Sequence, residues 1–230
     1  MNALSFENLL KRNEASFGKV VDFSPSTDQL LSFDFTAANT ELRPELLADT
    51  AQFSAWVNQK LALAHAKYGI GGYNEHRTIY GRSTHFDTNE EPRRLHLGID
   101  IWGAAETPIY NFYDATVHSF KFNDNFGDYG ATIILEYQME DFKFHALYGH
   151  LSLDSLAGLA KNQFIPVGKQ FAAFGVKEEN GHWPPHLHFQ LIIDMQGLAG
   201  DYPGVCQYSK REMYLANCPN PTRILGLPVR

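Results

Sequence analysis

From about residue 78 onward the chain is a succession of short β-type runs with little room between them for anything but turns. TPIYNFYDATVHSFKF, ATIILEYQ, FKFHALYGHLS, FIPVGKQFAAFGV and HLHFQLIID are rich in β-branched and aromatic residues, and NDNFGDYG and EENGHWPP punctuate them with turn formers. A parallel sheet needs crossover connections of roughly a dozen or more residues, which these spacings do not supply, so an antiparallel sheet is expected. DSLAGLAK is a candidate for a single short helix between strands.

The first third has a different texture. Phe6, Leu9 and Leu10 stand at helical spacing, and Val20 to Phe35 mixes short apolar groups with Pro25, as brief strands or an arm would. Residues 40–67 read as helix: Leu46, Phe53, Trp56, Val57 and Leu61 fall mostly at three- or four-residue steps, with Gly69 and Gly71-Gly72 as a stop. The expected organisation is a mostly helical N-terminal extension over residues 1–77 and a mainly β domain over 78–230.

Composition narrows the function classes. Of 230 residues, 44% are hydrophobic and 20% charged, which is ordinary globular usage and excludes wholesale disorder. Nineteen basic against 26 acidic residues give a net charge of −7, the wrong balance for a nucleic-acid or anionic-membrane partner. No apolar run approaches the ~20 residues of a membrane-spanning helix. The opening MNALSFENLLKRNEASFGKVV lacks a basic stretch followed by an apolar one, so a cytoplasmic setting is expected, with export only by an unrecognised route. Cys206 and Cys218 are then reduced packing cysteines; a disulfide between them would contradict that setting.

Ten histidines are more than a fold requires. In His186-Leu187-His188-Phe189-Gln190-Leu191 a strand turns His186, His188 and Gln190 to one face and the apolar residues to the other. In His96-Leu97-Gly98-Ile99-Asp100 the same parity pairs His96 with Asp100. A flat strand would hold their Cα atoms ~13 Å apart, too far to share an ion, so the chain must bend, and Gly98 is where it bends cheaply. Tyr148-Gly149-His150-Leu151 ends a third strand at a position suited to overlooking a cleft. Parity turns His145, five residues earlier, to the opposite face. Two histidines and a carboxylate, with more histidines at hand and no thiolate, is the donor arithmetic of a catalytic zinc site with one open position.

His-x-x-x-Asp, then Tyr-Gly-His-Leu, then His-Leu-His, in that order, resembles the lysostaphin-like, LytM-type zinc endopeptidases that cleave peptidoglycan cross-bridges. The likeness runs through GAAETPIYNFYDATV and Val167-Gly168 to Gly175 and covers roughly residues 93–195. It implies the antiparallel sheet of the lysostaphin-like (duplicated hybrid motif) type. It also implies Zn²⁺ held by His96, Asp100 and His188, with His150 and His186 as unliganded catalytic histidines, and a peptide or muropeptide substrate. Ala115 stands where the family has Gly after the Asp of its Asp-Gly-x-Val turn. GDYGATIILEY and GDYPGVCQY are not general family features; they are more similar to the lysostaphin-like domain found between kinase-like and class III aminotransferase-like domains. Two further readings stand beside peptide hydrolysis: a metal-binding scaffold without turnover, and hydrolysis of a small cytosolic amide.

Arg77 and Tyr80, in a polar-aromatic cluster just before the first motif, are candidates for a wall of the substrate groove, the other reading being a boundary loop. His182, in the Asn-Gly-His-Trp loop, is a candidate for the same groove or a solvated loop histidine. Oligomeric state is not encoded in any of these patterns.

Overall fold

The computed structural model describes residues 3–227. Its strands are β1 (Leu30–Phe33), β2 (Tyr68–Gly71), β3 (Leu95–His96), β4 (Ile99–Trp102), β5 (Pro108–Tyr110), β6 (Ala115–Asn123), β7 (Gly130–Met139), β8 (Phe142–Leu151), β9 (Phe164–Ile165), β10 (Gln170–Ala173), β11 (His186–Ile192) and β12 (Val205–Cys206). The helices are α1 (Ala3–Asn13), α2 (Pro44–Ala48), α3 (Thr50–Leu63), α4 (Arg211–Asn217) and α5 (Thr222–Leu225). DSLAGLAK supplies only a 3₁₀ turn, Leu153–Leu156. Among the described residues no helix is long and apolar enough to cross a membrane.

Eight strands form one sheet in the order β1-β2-β4-β11-β8-β7-β6-β9, antiparallel at every junction except β1–β2. The other strands pair as two ribbons, β5 with β10 and β3 with β12. This is the mainly β, antiparallel architecture expected from the strand spacing. The His-Leu-His strand β11 lies well inside the sheet, paired on both edges, and every one of its residues is buried.

The two faces of the sheet are covered differently. Leu187, Phe189 and Leu191 of β11 join Ile99, Ile101 and Tyr148 in the main core, onto which α1 lays Phe6, Leu9 and Leu10. On the other side Trp102 gathers Phe33, Phe35 and the buried stripe of α3, Phe53, Val57 and Leu61. Asp49 caps α3, its carboxylate accepting from Ala51 N and Gln52 N. Burying an aromatic or aliphatic side chain of this kind contributes about 1.5–3 kcal/mol, so α3 is held mainly by that stripe.

The first 77 residues do more than supply helices. β2 hydrogen-bonds along β4, and β1 along β2, so this segment extends the same sheet. Gly69 reads in sequence as a helix stop, but α3 ends at Leu63 and Gly69 sits inside β2. A Cβ there would lie 2.0 Å from the ring of Phe33, so the missing side chain is what lets the aromatic close over the strand.

Candidate metal centre and cleft

Register places the first two donors. β11 pairs with β4 so that His188 faces Asp100 and His186 faces Trp102, and directly opposed residues of an antiparallel pair project from the same face. His96 arrives from a different sheet. β3 belongs to the ribbon with β12 and β4 to the main sheet, so the chain changes sheets at Leu97-Gly98. That is the bend the sequence demanded. Gly98 also has no room for a side chain: a Cβ would lie 2.7 Å from Phe189 O and 2.9 Å from His188 Nε2. Gly98→Ala is therefore expected to push the His188 ring aside, costing about 1–3 kcal/mol of stability by overpacking and weakening zinc binding. Melting curves and zinc titration of the variant check both effects, and unchanged zinc affinity would contradict the close approach.

His96, Asp100 and His188 are the group among the described residues able to hold a metal ion. His96 Nε2 lies 2.9 Å from His188 Nδ1 and 3.1 Å from Asp100 Oδ1, and His188 Nδ1 lies 3.0 Å from Asp100 Oδ1. Tetrahedral zinc with bonds of about 2.0–2.1 Å separates its ligand atoms by about 3.3 Å, close to this triangle. The hydrogens decide the matter. His96 Nδ1 contacts the carbonyl of Gly72 at 2.8 Å, an acceptor only, so the proton is on Nδ1 and the Nε2 lone pair points inward. His188 Nε2 contacts Gln190 Oε1 at 2.9 Å, and the Gln190 amide is oriented by donating to Pro203 O and Cys218 Sγ. That puts the His188 proton on Nε2 and its Nδ1 lone pair inward too. Two nitrogen lone pairs and a carboxylate oxygen thus face one point with no hydrogen between them, an arrangement that a divalent cation satisfies.

Electrostatics hold these groups in their liganding forms. Burial, reinforced by Arg77, pushes His96 down to about 4. Burial works against the Asp100 carboxylate, but His96 and Arg77 outweigh it and keep its pKa well below the usual range.

The other two histidines stand beside the triangle. His186 lies two residues from His188 on the same face, its ring stacked on Trp102 at 3.9 Å. His150 comes from the end of β8, its ring 4.1 Å from that of His186. Each donates Nδ1–H to a carbonyl at 2.8 Å, His150 to Asn180 and His186 to Pro184, so both Nε2 lone pairs are free. Burial lowers both, His186 to about 4, and both rings are neutral near pH 7.

Parity alone would have misplaced His150. The register of β11 with β8 puts His145 opposite Ile192 and Gly149 opposite His188, so His145 lies on the metal face, not the opposite one as expected. His150 would then point away. A bulge between β7 and β8, with His150 at φ 64°, turns its ring back to that face. His145 itself sits farther along β8, cross-strand from Glu136 and 4.9 Å from the ring of His118.

A cleft of about 470 Å³ opens over Asp100, His150, His186 and His188. Tyr80 is among the residues that line it. Arg77 does not: it is 0% exposed and serves Asp100 from behind, because a cation with Glu75 and Asp100 to neutralise is held inside. His182 is also absent from the lining; its ring stacks on Phe126, and the neighbouring Trp183 borders the cleft. Sequence reasoning missed Asp128 and Asp201, which face the cleft from the two Gly-Asp-Tyr segments. The segments are tied by Tyr129 Oη donating to Tyr202 O, and the motif itself was the available signal. It also missed Asn180, whose buried side chain bonds Gly175 O, Trp183 O and Trp183 N and so fixes the loop whose carbonyl orients His150. Cys206 and Cys218 are both free and buried.

Convergent metal donors flanked by two neutral imidazoles, at the floor of a cleft on an antiparallel sheet, define a metallohydrolase-type site. Residues 94–199, which contain all five of these side chains, match the model of peptidase family M23. Among solved structures it is similar to the catalytic domain of the antimicrobial peptidase lysostaphin from Staphylococcus simulans (17% identity, 70% of this chain and 96% of that one, TM-score 0.41). It is similar as well to the catalytic domain of the prophage-encoded M23 protein EnpA from Enterococcus faecalis (19% identity, 51% and 85%, TM-score 0.37). A third is a zinc-containing peptidase from Vibrio cholerae (20% identity, 55% and 32%, TM-score 0.36), of which this chain spans about a third. No curated protein matches the chain.

Proposed function

We propose that this protein is a zinc-dependent peptidase that hydrolyses an amide bond in peptidoglycan-derived or related short peptides. The observation that carries the reading is the pair of inward lone pairs on His96 and His188 beside Asp100 Oδ1, with two further imidazoles presenting free Nε2 atoms. Zn²⁺ at such a triad supplies Lewis-acid activation of water and of an amide carbonyl.

The chain's own residues supply the rest. His150 and His186, neutral and with Nδ1 committed to carbonyls, are each set to accept a proton at Nε2. Whichever ring has taken the proton becomes an Nε2–H donor, able to stabilise a developing oxyanion or to protonate the leaving amine. Trp102 backs His186 and is itself packed against Phe35 and Phe53, so the imidazole is held by the aromatic core under α3. A scaffold without turnover has no need of two such oriented imidazoles.

The test is direct. Purified protein incubated with muropeptides and with glycine- or D-amino-acid-containing peptides should release new primary amines, detected by mass spectrometry, and a chelator should abolish the release until zinc is restored. Absence of any chelator-sensitive product across that panel would turn the reading toward a small amide or a scaffold.

A further inference from the structure

The family match begins at residue 94, yet the metal centre has a second layer that lies before it. The backbone of residues 72–77 is laced to 94–96: Asn74 N donates to His96 O, His96 N to Glu75 O, and Arg77 N to Arg94 O. This lacing sets Arg77 behind the triad. Its Nη1 donates to Asp100 Oδ2 and, at 3.1 Å, to Tyr80 Oη; its Nε donates to Glu75 Oε2 at 2.6 Å; its Nη2 donates to Gly72 O at 3.1 Å. The Gly72 carbonyl is also the acceptor that fixes the ring of His96.

We propose that Arg77 is a positioning residue for the metal centre: it occupies Asp100 Oδ2 so that Asp100 gives the ion a single oxygen, and through Gly72 it braces His96, making residues 72–77 part of the site. The proposal rests on the reading of His96, Asp100 and His188 as metal ligands.

Three features of the arrangement support it. A planar guanidinium is the side chain that reaches four acceptors in fixed directions; a lysine ammonium, with three rotatable donors, does not reproduce the fork. The pairing leaves the carboxylate one uncommitted oxygen, Oδ1, which is the oxygen 3.0 Å from His188 Nδ1 and 3.1 Å from His96 Nε2. Glu75 balances the arginine, so the group adds orientation to the centre with little net charge. A carboxylate freed of this partner would have both oxygens open to the ion, raising the coordination number from four toward five.

Zinc affinity by competition with a chromophoric chelator, and the visible spectrum of the Co²⁺-loaded protein, test this without reference to turnover. Arg77→Met is expected to weaken zinc binding about 10–100-fold, as loss of an outer-shell partner does. It should also lower the intensity of the cobalt d–d bands as coordination rises from four toward five. Glu75→Gln with Arg77→Met removes the carboxylate that would otherwise be stranded, and is expected to recover stability but not the spectrum. Should Arg77→Met fail to fold, Arg77→Lys carries the test, with an intermediate affinity and a weakened cobalt band expected. Native affinity and a native cobalt spectrum in the folded variants would overturn the proposal. Native protein that binds no zinc would instead overturn the metal reading on which it rests.

Discussion

By elemental analysis the native chain is expected to carry close to one equivalent of zinc, and His188→Ala is expected to carry almost none and to show no measurable amide hydrolysis. The substitution removes one of three donors whose separations are 2.9, 3.0 and 3.1 Å. Loss of an outer-shell partner alone weakens binding 10–100-fold, so loss of a ligand should exceed about 100-fold. The fold should survive, because β11 keeps its backbone pairing to β4 and β8 and its apolar face is untouched. The main local penalty is at Gln190, whose Oε1 loses the His188 N–H; a buried acceptor left unmade costs about 1–3 kcal/mol. Asp100 keeps Arg77, so no uncompensated carboxylate is created. A variant that folds and still carries full zinc would remove His188 from the ligand set.

The parts of this site that the sequence displays are those governed by short-range geometry. Two-residue periodicity on β11 put His186 and His188 together, and the arithmetic of reach required a break at Gly98, because a strand cannot bring residues i and i+4 to one ion. What stayed hidden depends on contacts between distant segments or on backbone atoms. The carbonyls of Gly72, Asn180 and Pro184 set three imidazole tautomers, and a carbonyl carries no residue-specific signal. Arg77 reads as a groove residue until β2 and the 72–77 segment are seen against β3 and β4, which turns it inward to Asp100. The β7–β8 bulge defeated parity at His150 and His145 for the same reason: an extra residue on one strand is a property of the pair and is not written in either strand alone. β2 was masked by its glycines, which read as a helix stop, although Gly69 makes space for the Phe33 ring across the sheet.

Removing either flanking histidine should separate binding from chemistry. In His150→Ala and in His186→Ala the three donors and their tautomer-fixing bonds to Gly72 O and Gln190 Oε1 remain, so zinc content should stay near one equivalent while kcat falls about 10²–10⁴-fold with KM changed far less. The two losses should not multiply. The rings lie 4.1 Å apart, and a proton taken up by one makes a second imidazolium beside it unfavourable, so the pair holds one proton at a time and acts as a unit. The double variant should consequently be little slower than the worse single variant, as is found for other catalytic groups that work together. His186→Ala carries an added structural signature, since it uncovers the face of Trp102 on which the imidazole stacks, and a change in indole fluorescence should accompany it but not His150→Ala. Multiplicative losses would show two independent roles, and zinc lost together with turnover in either single variant would move that histidine into the ligand set.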